Sequence, residues 1–85
     1  MIARKVTLVA ATATRIVTGG VGARSVMLKT ALTDLCLGES AALTATGGYA
    51  FAAAITNVTV PTGNDDLWAF STTGGDIFVL YPENA

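Results

Sequence analysis

The side chains able to do chemistry in this chain are one thiol, six carboxylates and five cations, with no histidine. Cys36 sits between Leu35 and Leu37. With no imidazole to draw off its proton, it reads as a small buried hydrophobe rather than a nucleophile. Lack of histidine also excludes the usual Ser-His and Cys-His pairs and any zinc site of the Cys/His type. The carboxylates are Asp34, Glu39, Asp65, Asp66, Asp76 and Glu83, and only Asp65-Asp66 are clustered. Beside Gly63-Asn64 that pair has oxygen ligands for calcium but none of the alternation of an EF-hand loop, so it reads as a solvated turn. A glycosidase would need two carboxylates facing each other across a cleft, for which a small sheet domain has little room. Gly19-Gly20-Val21-Gly22 lacks the Lys-Ser/Thr and the helix of a phosphate loop and reads as a turn between strands. Asn57-Val58-Thr59 matches a glycosylation acceptor, which matters only on a secreted chain. No catalytic, cofactor-binding or metal-ligating residue is assigned, and neither an enzyme nor a cofactor is expected.

Charge is sparse and uneven. The chain is 52% hydrophobic and 13% charged with a net charge of −1, so no general attraction to nucleic acid or anionic lipid is expected. The cations Arg4, Lys5, Arg15, Arg24 and Lys29 all precede the acids, which begin at Asp34. Between Glu39 and Asp65 no residue is charged. A membrane helix needs about 20 continuous apolar residues, and this stretch is interrupted by Gly47-Gly48, Asn57 and Pro61-Thr62-Gly63-Asn64. It is therefore expected to form two or three strands in the middle of a sheet, covered outside by a partner. On that reading a charge at Ala53 disrupts folding or assembly. The opening MIARKVTLVAATATRIV is too polar at Thr7, Thr12 and Thr14 for a signal peptide.

The elements that must position these residues are short strands separated by glycines. Lys5–Val9, Thr14–Thr18, Leu35–Gly38, Ala41–Thr46, Tyr49–Phe51 and Ile55–Val60 read as strands. Arg24–Thr30 alternates most clearly, with Val26 and Leu28 on one face. Asp66–Ser71 and Asp76–Tyr81 are apolar on both faces. Joined by Thr72-Thr73-Gly74-Gly75, they form the clearest hairpin expected. About 7–9 short strands and no helix predict a single all-β domain over 1–85, an antiparallel β-sandwich or jelly-roll-like barrel. Residues 1–5 are expected as an N-terminal arm and 82–85 as a tail.

This succession resembles small virion proteins of tailed bacteriophages that decorate or stabilise a head, or sit at the neck and tail. The matching pieces run in order: VTLVAATATRIV, RSVMLKT, TDLCLGES, TATGGYAF, NDDLWAF and TTGGDIFVLYPENA. The likeness covers most of the chain and is one of pattern, with no diagnostic motif. It implies a non-enzymatic β-sandwich, commonly trimeric, that binds the outside of a capsid and bridges major capsid subunits. The location implied is the capsid surface of a virion assembled in the host cytoplasm, with no nucleic acid or membrane partner.

Interface candidates are the residues that a small sandwich cannot bury alone. Trp68 and Phe70 against Phe78 and Leu80 would form a two-sided apolar sheet, and aromatic anchors carry much of an interface's energy. Ile2, Arg4 and Lys5 would lie on the shell as part of the arm, and Phe51 adds a further aromatic. The alternative is a carbohydrate- or receptor-binding module of a tail or fibre, with Trp68, Tyr49 or Tyr81 as an exposed platform.

Overall fold

Eight strands form where β-branched and aromatic residues alternate with polar ones: β1 (Ile2–Leu8), β2 (Thr14–Val17), β3 (Ser25–Thr30), β4 (Cys36–Gly38), β5 (Tyr49–Ala50), β6 (Ile55–Pro61), β7 (Leu67–Phe70) and β8 (Gly75–Tyr81). They are seen in a computed structural model that describes residues 2–18, 25–62 and 65–81, with backbone alone at Ile2 and Tyr81. The turns expected at Gly19–Gly22 and at Gly63-Asn64, Arg24 and the tail from Pro82 lie outside the described residues. The chain is all-β with two four-stranded antiparallel sheets, ordered β1-β8-β3-β6 (sheet A) and β2-β7-β4-β5 (sheet B). Each strand pairs with its mirror image about the β4–β5 connection: β1 with β8, β2 with β7, β3 with β6 and β4 with β5. One long antiparallel ribbon has thus been rolled into a sandwich, which is the strand order of a jelly roll.

Alternation places the core. In β3, Val26, Leu28 and Thr30 are buried while Ser25, Met27 and Lys29 are exposed. In β8, Ile77 and Val79 are buried between exposed Asp76, Phe78 and Leu80. With Leu8, Ile16, Val17, Leu35, Leu37, Ile55, Leu67 and Ala69 these residues fill the space between the sheets. At about 25 cal/mol per Å² of apolar surface removed from water, that burial is the main stabilising term.

The rolled topology corrects the expected hairpin. β7 belongs to sheet B and β8 to sheet A, so they do not pair. Their connection, Ser71–Gly74, is a corner that carries the chain from one sheet to the other. Gly74 has φ 76°, and a Cβ there would meet the Leu8 carbonyl oxygen at 2.8 Å and the Ala10 nitrogen at 2.9 Å, so glycine is required on both counts. Local turn chemistry favoured a hairpin, but pairing β8 between β1 and β3 buries Ile77 and Val79 on a central strand, which a two-stranded hairpin cannot do.

Three other expectations are corrected. Ile2–Lys5 is not an arm; it is paired in β1 with Tyr81–Phe78. Ala41–Thr46 is not a strand but a pair of turns, closed by Leu43 N–H donating to the Ser40 carbonyl (3.2 Å) and Gly47 N–H to the Thr44 carbonyl (3.3 Å). The uncharged stretch is not the middle of a sheet. It supplies β5 and β6, the edge strands of sheets B and A on one side of the sandwich. The central positions go to β8 and β3 in sheet A and to β7 and β4 in sheet B, strands that turn Ile77, Val79, Val26, Leu28, Leu67 and Leu37 into the core.

Candidate binding surface

Cross-strand register builds the site. On the outer face of sheet A, Lys5 lies opposite Phe78, which lies opposite Lys29 on its other side. In the next row Ala3 lies opposite Leu80, and Leu80 opposite Met27. Directly paired side chains have Cβ atoms about 4.5–5.5 Å apart, so these six residues form one patch: an apolar ridge with a cation on each side of its aromatic. Phe78 is 46% exposed, Met27 39% and Leu80 36%. A shallow depression of about 370 Å³ runs across the patch and reaches Thr56 and Asn57 of β6. Beyond Phe78 the ridge ends at Asp76, whose Oδ1 accepts from the Thr7 hydroxyl at 2.8 Å.

The expected interface residues do not form a single surface. Because β7 and β8 lie in different sheets, Trp68 and Phe70 face outward from sheet B while Phe78 and Leu80 face outward from sheet A. Trp68 and Phe70 are half-buried, on a face that the 39–48 connection partly covers through Leu43, which lies over Gly38 and Gly48. Lys5 joins Phe78 and Leu80. Arg4 has the inward parity of Val6 and Leu8 and is exposed because β1 is an edge strand. The side chain of Ile2 is outside the described residues. Phe51 packs beside Tyr49, with ring centroids 5.2 Å apart, along an uncharged groove of about 320 Å³ between the β5 and β6 edges. Met27 and Lys29 were missed, although the alternation of β3 already placed them on its outward face; what was lacking was that β8 is their neighbour.

The two ends of the sandwich differ in chemistry. At one end Asp34 fastens the β7–β8 corner. Its Oδ1 accepts from the Ser71 hydroxyl at 2.7 Å, and its Oδ2 from the Thr73 backbone N–H and hydroxyl, both at 3.2 Å. Ser71 Oγ in turn accepts from Gly74 N–H at 3.0 Å, and the Ser71 carbonyl from Ala11 N–H at 2.8 Å. The Ser71 hydroxyl chiefly, aided by the two Thr73 donors and opposed by partial burial, holds the Asp34 carboxyl below its ordinary pKa. From the sequence Asp34 is only one unclustered carboxylate among six. A lone carboxylate before a strand carries no sign that a corner 37 residues later will need an acceptor.

At the other end residues from 37–48, 60–62 and 65–67 line a cleft of about 570 Å³. Leu37, Leu43, Val60 and Leu67 line its apolar part, and Glu39, Asp65 and Asp66 its polar part. Arg15 reaches Asp66 at 3.6 Å. Among the described residues no group of three or more His, Cys, Asp or Glu is placed to hold a metal ion. Cys36 is fully buried as a free thiol. No helix among the described residues is long and apolar enough to cross a membrane. No family model, curated protein or solved structure matches this chain.

Proposed function

We propose that this chain is a non-enzymatic structural protein of a tailed phage virion, a homo-oligomer that binds the outside of the capsid and stabilises it by bridging major capsid subunits. The observation that carries this reading is the outer face of sheet A. Its two inner strands present Phe78, Leu80 and Met27 to solvent in register, an arrangement that costs solubility unless a partner covers it. Such a face is suited to a broad, adhesive contact and not to enclosing a substrate. The jelly roll serves shell proteins, lectins and cupin enzymes alike, so the fold supports the reading without selecting it. The resemblance in strand succession points to the shell.

The test is co-sedimentation of the purified chain with empty heads from the same source. A fixed copy ratio per capsid subunit, lost on Phe78→Asp, is the expected result. A chain that stays in the supernatant, or a Phe78→Asp variant that still binds, overturns the proposal. A glycan-binding reading is favoured by one observation, the 71% exposure of Tyr49 beside Phe51 on an uncharged groove. It requires glycan-array binding that disappears on Tyr49→Ala.

A further inference from the structure

We infer that the occupant of the sheet A face is the acidic end cleft of a second copy of this chain, so that copies associate head to tail. The inference rests on the reading above that this face is an assembly surface and names a sister copy as what covers it. Phe78→Asp then releases the chain from heads by breaking the oligomer that bridges capsid subunits. The face offers an aromatic residue between two lysines, Lys5 and Lys29, in a single row. The cleft offers the complement: an apolar floor that includes Leu43 and Leu67, and a margin bearing the exposed carboxylates Glu39 and Asp65. Its volume of about 570 Å³ admits an aromatic side chain with space remaining.

An aromatic anchor in an apolar pocket, ringed by opposite charges, is the usual form of a tight small interface. The two surfaces lie apart on the molecule, one on the flat of sheet A and the other at the end of the sandwich, lined by Glu39, Leu43, Asp65 and Leu67 among others. The contact is therefore heterologous: each copy can engage one neighbour through its face and another through its cleft, closing a ring or extending a filament. The other edge features fit a second copy less well. β6 is uncharged, but its pairing with β3 shifts register between Leu28 and Thr30 and it ends in Pro61, both devices that blunt edge pairing.

Sedimentation of the full chain over a range of concentrations tests this. Wild-type protein is expected to associate, and more weakly as salt is raised. A face variant, Lys5→Glu with Lys29→Glu, and a cleft variant, Glu39→Lys with Asp65→Lys, should each associate more than about tenfold more weakly. All four side chains are exposed, so both variants should keep the wild-type unfolding midpoint to within a few degrees. Mixed one to one, the two variants should associate again, because each then meets its complement. A wild-type chain that is monomeric at every concentration, a variant that associates as well as wild type, or a mixture that does not recover overturns the inference. If the monomeric chain nevertheless binds heads through Phe78, the capsid-binding part of the proposed function stands, and its homo-oligomer part fails together with the second-copy occupant. Recovery in the mixture without any binding to heads gives the reverse.

Discussion

Asp34 fastens the corner at which the chain passes from one sheet to the other. Its carboxylate accepts from Ser71 and Thr73, and these bonds favour the ionised form, so its pKa is lowered on folding. A group of this kind contributes stability above its unfolded pKa, and that contribution is lost as pH falls through the folded value. The unfolding midpoint of the wild type should therefore drop as the solution is taken below about pH 4. Asp34→Asn should begin lower and show a shallower acid slope over that window. Parallel midpoint-against-pH curves for the two proteins would remove Asp34 from the explanation. Ser71 is fully buried, and Ser71→Ala deletes both the donor to Asp34 and the acceptor of Gly74 N–H. Leaving such groups unsatisfied costs about 1–3 kcal/mol, measurable by urea unfolding with an unchanged m-value. None of this was legible from the residues alone: Asp34 and Ser71 are far apart in sequence, and nothing near either one indicates the other.

Among the elements, legibility followed alternation. β3 reads correctly from sequence because Ser25–Thr30 buries every second residue, and no other secondary structure satisfies that period. Leu28 is the fully buried centre of this strand. Leu28→Ala is expected to cost about 2–5 kcal/mol, and a loss below 1 kcal/mol in equilibrium unfolding would mean that the site collapses freely. β6 and β4 are also recognisable, from a β-branched run and from an apolar triplet before Gly38. Ala41–Thr46 has small and β-branched residues that suit a strand but no alternating face to bury; only Leu43 is buried in it. β7 and β8 were each identified as strands, yet their partnership was wrong. A Thr-Thr-Gly-Gly connection suits a hairpin and a corner equally well. The corner is selected by Asp34 and by the places that β1 and β3 leave for β8.

At the scale of the molecule, the ribbon pairing makes the chain depend on contacts between its ends, as between Ile2 and Tyr81. It also moves the uncharged stretch from the centre of a sheet to the rim. Ala53 lies exposed between β5 and β6, so Ala53→Asp should change stability by less than about 0.5 kcal/mol, contrary to the disruption expected from its neighbours in sequence. Thermal unfolding of that variant decides the point, and a large loss would place the segment under cover. By itself the sequence determined that the protein is all-β, that it lacks histidine chemistry, and which residues alternate toward a core; these follow from composition and short-range period, which the chain carries locally. Only the tertiary structure decided which strands are neighbours, that Phe78, Leu80 and Met27 share a face with Lys5 and Lys29 while Trp68 and Phe70 do not, and that the acids Glu39 and Asp65 border a cleft. Each of these depends on pairing across the roll, where burial of whole sheet faces outweighs the preferences of any single turn.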